Sequence, residues 1–271
     1  MKAVEIASRE CPILSKEERV KKALEIMYKK KVDRILISRD RNKLYGIVTE
    51  WDIMYKLSLS RQEKYSPYNI PLSGIATYPV DTITPETELK TAVNMFLIKG
   101  YSSLPVVDND MNIIGLVTKK EVIRFYLPKL REYDTLISEV MEKVRGKVEL
   151  FHSLIQAETK MKTSGYNTLI VHDKNRFIGI ITAANIARLV FSVKKIYPSV
   201  KWEYYLSNLL VADATIRDVY TLSPDDRLYK AAEIIAYRTQ KLIPILDEDE
   251  NVIGVISRRH ILKYIIDRGL L

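Results

Sequence analysis

The stretch GYSSLPVVDNDMNIIGLVTKKE, residues 100–121, decides the fold. It holds two apolar, β-rich runs, 104–107 and 113–117, joined by the polar turn DNDMN at 108–112. Two such runs around a short polar turn read as a hairpin. The second run leads into Thr118-x-x-Glu121, a capping box that satisfies the orphan N–H groups at a helix start. Upstream, Leu89, Ala92, Val93 and Phe96 fall at helical spacing behind Thr84 and Pro85. The unit therefore reads strand, helix, strand, strand, helix.

Working outward, the same pattern occurs four times. The helix-face alanines are Ala23, Ala92, Ala157 and Ala231, and the glycines opening a late strand are Gly46, Gly115, Gly179 and Gly254. The spacings from alanine to glycine are 23, 23, 22 and 23 residues. Ser15-x-x-Glu18, Thr84-Pro85 and Ser223-Pro224 signal helix starts, and a second helix is expected from Trp51 to about Leu57. Long connections, 58–74 and 191–211, separate units one from two and three from four, while only about 128–136 separates two from three. Long, short, long predicts two pairs, 1–130 and 131–271, with units near 3–57, 75–127, 137–190 and 212–267. One unit of this size buries too little surface to be secure alone, and pairing supplies the missing core.

Composition agrees with a globular chain. Of 271 residues, 47% are hydrophobic and 28% charged. No apolar run nears the roughly 18 residues that span a bilayer, so no membrane role is expected. The opening MKAVEIASRE has no apolar signal segment, which points to the cytoplasm. One cysteine, Cys11, excludes an internal disulfide framework, and three histidines leave little for a metal cluster, so no metal is expected. Cys11 reads as a small apolar strand residue. Lysines and arginines number 43 against 34 acids, for a net charge of +9. The excess divides about evenly between the halves, which suits anionic small ligands and weak nucleic-acid contact alike. Abundant Lys, Glu, Ile and Tyr with three Gln resembles a thermophile's composition.

The repeat, a glycine and apolar strand followed by [Ser/Thr]-x-x-[Asp], resembles the CBS domain, named after cystathionine β-synthase. The matching motifs are GIVTEWD at 46–52, GLVTKKE at 115–121, GIITAAN at 179–185 and GVISRRH at 254–260. The upstream pattern, glycine-apolar-x-x-apolar-proline, is complete only at 100–105. The third unit has Gly165 but Ile170, the fourth has Pro244 but Thr239, and the first has Lys31 and Leu36. The resemblance implies an α/β (α+β) fold of four βαββα repeats in two pseudo-two-fold pairs, Bateman modules that often form a disc. It also implies an adenosine ligand between paired units, with the aspartate on the ribose and the hydroxyl near a phosphate. A carboxylate can accept both hydrogens of a cis-diol, and a helix N-terminus favours phosphate. The same residues serve as caps, and sequence alone leaves both roles open for Asp52.

Combining each unit's acid with its partner's strands gives four clefts. The best joins Thr49 and Asp52 to Val80, Asp81, Thr82, Tyr101, Ser102 and Ser103, with Asp81 unfavourable if it faces inward. The second joins Thr118 and Glu121 to Pro12, Ile13, Val32, Asp33 and Arg34. There Arg34, Lys119 or Lys120 could take a phosphate, or Arg34 could be a solvated surface arginine. The third offers Thr182 and Asn185 with Val219, Thr221, Gln240 and Lys241. The fourth offers Ser257 and His260 with Tyr166, Asn167 and Thr168, and Arg258 and Arg259 could favour phosphate there.

No catalytic motif stands out, neither a nucleophile elbow, nor His-Glu-x-x-His, nor a phosphate loop. The expected function is a stand-alone sensor of AMP, ADP or ATP, without catalysis, acting as a homodimer or on an effector protein. S-adenosylmethionine or a dinucleotide is the alternative ligand. The segment 191–211 carries Phe191, Tyr197, Trp202, Tyr204 and Tyr205 among Lys194, Lys195 and Lys201. It reads as a helix closing the second pair, as a partner surface, or as a base-stacking nucleic-acid surface if these residues are exposed in one basic stripe.

Overall fold

The computed structural model describes residues 1–40, 42–56 and 69–271. The end of the second helix at Leu57 and most of the first connection, 57–68, lie outside the described residues. Unit one comprises β1 Ile13–Ser15, α1 Val20–Lys30, β2 Arg34–Ser38, β3 Leu44–Thr49 and α2 Glu50–Lys56. Unit two comprises α3 Leu89–Ile98, β4 Ser103–Val107, β5 Ile113–Thr118 and α4 Lys119–Leu130. Unit three comprises β6 Lys147–Glu149, α5 Leu154–Ser164, β7 Thr168–Asp173, β8 Arg176–Thr182 and α6 Ala183–Ile196. After α7 Trp202–Ser207 and α8 Val211–Ala214, unit four comprises α9 Leu228–Tyr237, β9 Leu242–Leu246, β10 Val252–Ser257 and α10 Arg258–Asp267.

Each hairpin is antiparallel, and β1 and β6 add a parallel strand to β2 and β7. Units two and four lack that opening strand. A single parallel bridge, Ile83 to Val106 and Leu222 to Ile245, stands in its place. The cause is proline. In units one and three the central strand donates a backbone N–H to the opening segment, from Leu36 to Pro12 at 2.9 Å and from Ile170 to Gly146 at 2.8 Å. Pro105 and Pro244 occupy the corresponding positions and have no N–H to give.

The sheets are buried on both faces, so their central strands read as apolar runs. In β2, Ile35 and Ile37 face helices while Leu36 faces the partner sheet. Leu36, Leu44 and Ile47 of unit one meet Val107 and Leu116 of unit two there. Ile170 and Ile180 meet Val255 in the same way between units three and four. The helical faces pair differently. One core joins units one and three, with α2 against α6, and a second joins two and four, with α4 against α9 and α10.

Reciprocal exchange ties one to two and three to four. The segment preceding each unit crosses onto the neighbour. Ser8 bridges to Leu116, Thr77 to Ile47, Glu142 to Val255 and Ile216 to Ile180. The same segments cap the neighbours' first helices through backbone carbonyls. Met1 O receives Leu89 N at 3.0 Å, Ile70 O receives Val20 N at 3.0 Å, Thr135 O receives Leu228 N at 2.9 Å and Leu209 O receives Leu154 N at 2.8 Å. The Ser/Thr signals lie five residues before three of these helices because they close turns instead. Glu18 N donates to Ser15 O, and Thr87 N to Thr84 O, each at 3.1 Å. The repeated glycines admit the crossing chain. A Cβ on Gly46 would sit 2.5 Å from Thr77 O, and one on Gly179 would overlap Ile216 O.

Candidate functional site

Each hairpin ends at a helix start, and each helix start closes on itself. Thr49 N and Oγ1 donate to Asp52 Oδ2 at 2.8 and 2.6 Å, and Asp52 N donates back to Thr49 Oγ1 at 3.2 Å. Thr77 Oγ1 donates to the other oxygen, Asp52 Oδ1, at 3.0 Å. The Thr118 hydroxyl bonds to Glu121, and the Thr182 hydroxyl to the Asn185 amide oxygen. Ser257 N donates to His260 Nδ1 at 3.1 Å, while His260 Nε2 lies 3.4 Å from Glu142. Burial lowers the His260 pKa, and Glu142 only partly offsets it.

Around the first cleft, Asp81 is held by Lys99 at 2.7 Å and the Tyr101 hydroxyl at 2.6 Å, which lower its pKa and compensate its charge. Ser103 pairs in register with Thr118 of its own hairpin, while Ser102 Oγ accepts from Arg34 Nη1 at 3.1 Å. Val80 lines an open pocket of about 390 Å³ with Tyr45, Tyr78, Arg39 and Lys43. Thr82 is half-buried beside it in sequence.

In the second cleft, Arg34 is buried, not a solvated arginine, and forks onto Asp33 at 2.6 and 3.0 Å. Pro12 is buried, and Ile13 pairs with Leu36. Val32 is half-buried against the core shared with unit three. Cys11 precedes β1 rather than lying in it, and burial pushes its thiol up to about 11. In the third cleft, Val219 packs between the sheets and Thr221 is half-buried. Gln240 is fastened to backbone atoms of Tyr220 and Leu242. Lys241 turns to the first unit, where Asp33 and Glu50 hold it. In the fourth, Thr168 is buried opposite Thr182, Asn167 Oδ1 accepts from its hydroxyl at 3.3 Å, and Tyr166 is exposed. Arg258 and Arg259 leave this cleft. Arg258 reaches to 4.0 Å from Asp33, and Arg259 Nη1 donates to Leu97 O at 2.8 Å.

These displacements converge on one place. Arg34 of unit one, Lys119 and Lys120 of unit two, and Arg258 and Arg259 of unit four face one another at the starts of α4 and α10. Lys119 is 8% exposed. Burial first, then Arg259, Arg258 and Arg34, push its ammonium down to about 8. Among the described residues no carboxylate lies in ion-pair reach of Lys119, and Arg258 Nε is buried without a hydrogen-bond partner. Asp33 is the counterweight. Burial would raise its carboxyl, but Arg34, Lys241 and Arg258 hold it well below the usual carboxylate range. Glu50 and Arg188, 3.5 Å apart, also belong to this network. Sequence reasoning missed both, because Glu50 reads as filler in Thr-x-x-Asp and its partners lie far along the chain.

The 191–211 segment packs into the core that units one and three share, and does not close the pair of units three and four. Phe191, Trp202 and Leu206 are buried, and Tyr197 stacks on Tyr205 at 3.7 Å. Lys194 is buried over Trp202, and only Tyr204 of the aromatic set is fully open to solvent. An exposed base-stacking stripe is therefore not formed here. Among the described residues no helix is long and apolar enough to cross a membrane.

The CBS domain family model matches residues 3–59, 72–128, 132–192 and 211–267. The protein MJ1225 of Methanocaldococcus jannaschii is 26% identical over 269 residues, covering 90% of this chain and 91% of its own. Its crystal structure, described as that of a candidate archaeal homologue of γ-AMPK, superposes with a TM-score of 0.88 at 24% identity, over 98% of this chain and 100% of that one. That likeness carries the fold. A conserved protein of Pyrococcus horikoshii gives a TM-score of 0.61 at 19% identity, over 98% and 100% of the two chains. A 146-residue stretch, 53% of this chain, is 32% identical to 16% of the A-adding tRNA nucleotidyltransferase of Aquifex aeolicus.

Proposed function

The chain belongs to the CBS domain family, and from that premise we propose that it is a regulatory sensor binding an adenosine phosphate, AMP, ADP or ATP, without catalysis. The units act as two modules, 1–130 and 131–271, signalling to a second copy or an effector protein. One observation carries the ligand class. Arg34, Lys119, Lys120 and Arg258 come together, and among the described residues Lys119 has no carboxylate in ion-pair reach. Asp33 offsets Arg34 and Arg258, but it leaves Lys119 a buried cation outside the ion pair. Such a charge is costly, and a phosphate at a helix start relieves it. This argument favours phosphates over S-adenosylmethionine, whose sulfonium is cationic. It also moves the second cleft, with Thr118 and Glu121, ahead of the first.

Calorimetric titration with AMP, ADP, ATP, S-adenosylmethionine and NAD tests the reading. At least one adenosine phosphate should bind below millimolar and ahead of S-adenosylmethionine. Tighter binding of S-adenosylmethionine, or no binding of any phosphate, sinks it. Asp52 gives a second test. Asp52→Ala should weaken nucleotide binding in the first cleft by about 10- to 150-fold, the value of a charge-assisted hydrogen bond. It should also lower stability by about 1 kcal/mol through the lost cap. Asp52→Asn separates the two. If it melts normally and binds nucleotide as the parent does, Asp52 is a cap alone.

A further inference from the structure

Lys241, directly before β9, places its Nζ 2.8 Å from Asp33 Oδ2 and 3.4 Å from Glu50 Oε2. These carboxylates belong to different clefts. Asp33 forks onto Arg34 in the second, and Glu50 sits between Thr49 and Asp52 in the first. Lys241 itself follows Gln240 on the edge of the third. One ammonium thus touches the walls of two clefts and joins the two halves of the chain.

We infer that Lys241 couples the clefts, so that an anion seated on Arg34, Lys119 and Arg258 weakens anion binding in the first. The identity of the natural ligand rests on the adenosine-phosphate reading, and the direction of the coupling does not. An incoming anion shares Arg34 and Arg258 with Asp33. Asp33 then depends more on Lys241, which already lies nearer to it than to Glu50. As Lys241 shifts toward Asp33, Glu50 is left, among the described residues, with Arg188, a half-exposed partner at 3.5 Å. Its charge is then less compensated one residue from Thr49, and anions there are repelled. Each ligand changes the other's affinity by the same factor, because coupling is reciprocal.

The test uses the full chain, titrated calorimetrically with AMP and with inorganic pyrophosphate, alongside hydrogen exchange of α2. Successive dissociation constants of the parent should differ by about fivefold or more beyond the statistical factor. Either probe should speed exchange in α2. Lys241→Met should remove both effects, and Lys241→Arg should keep them. Glu50→Gln, which cuts the other end of the tie, guards against a variant that fails to fold. A Lys241→Met protein that melts normally yet keeps the spread of constants and the α2 response overturns the inference. If pyrophosphate shows the coupling while AMP does not bind, the nucleotide reading falls and the inference stands. If neither probe alters exchange at 118–121, the inference falls too.

Discussion

Replacing Gly46 by alanine should lower stability by about 2–3 kcal/mol, the upper part of the usual range for forcing an extra group into a packed site. At roughly 2–4 °C per kcal/mol, the melting temperature should drop by about 4–12 °C. The added Cβ would stand 2.5 Å from Thr77 O and 3.6 Å from Ala76 Cβ. The obstacle is backbone, so no side chain can swing aside. Thr77 cannot retreat cheaply either. Its N–H donates to Ile47 O at 2.9 Å, Ile47 N donates back at 3.3 Å, and its hydroxyl holds Asp52. Pushing the strand away would break the exchange between units one and two and disturb the first cleft together. Gly100→Ala is the control. Gly100 has φ +76, but nothing lies within 4 Å of its added Cβ. It should cost only the left-handed penalty, about 1–2 kcal/mol. Thermal melts of the two variants separate the mechanisms. Equal losses would mean that Gly46 serves conformation and not close approach.

That contrast shows what was legible in the sequence. The spacing of Ala23, Ala92, Ala157 and Ala231 from their glycines specified the units, and the short apolar runs that became β2, β4 and β7 specified the hairpins. Pro105 and Pro244 were visible as departures between units. Their consequence, an opening strand reduced to one bridge, needed the hydrogen-bond direction of the parallel pair. The missing glycine at Lys31 proved tolerable, since Lys31 itself takes the left-handed cap at φ 53. Helix starts were read too early because the true caps are carbonyls of distant segments, such as Met1 O for Leu89. Such caps leave no local signature. The site was legible only in its local parts. Thr49-x-x-Asp52 and Thr118-x-x-Glu121 close as read, but Lys241 and Arg258 work away from the clefts their sequence neighbours line. Arg34, Lys119 and Arg258, far apart along the chain, act on one another where units one, two and four meet.

The sharpest consequence of that concentration concerns Lys119. Lys119→Met should stabilise the unliganded protein at pH 7 while weakening phosphate binding. The parent's ammonium is held at about 8 against an ordinary 10.5, chiefly by burial and then by three arginines. That gap corresponds to at most about 3 kcal/mol of burden on the folded state. Methionine keeps the length and apolar stem without the charge. The sign follows from proton linkage. Below about pH 8 both folded and unfolded chains carry the proton, so the burden is full. As pH rises from about 8 to 10.5 the folded state sheds its proton first, and parental stability rises with respect to the variant. Above that window the advantage of methionine through this charge is gone. Ligand binding should run the opposite way. A bound phosphate supplies the missing counter-charge, so Lys119 stays protonated in the complex, and binding takes up a proton near pH 8 and above. Affinity should therefore fall as pH climbs through that window in the parent, and not in Lys119→Met. At pH 7 the variant should bind about 10- to 150-fold more weakly, the value of a hydrogen bond to a charged group. Denaturant melts from pH 6 to 10.5, paired with calorimetry over the same range, check both halves. A variant that melts lower than the parent at pH 7, yet binds pyrophosphate equally well, would show that Lys119 is a packing residue and that the phosphate belongs elsewhere.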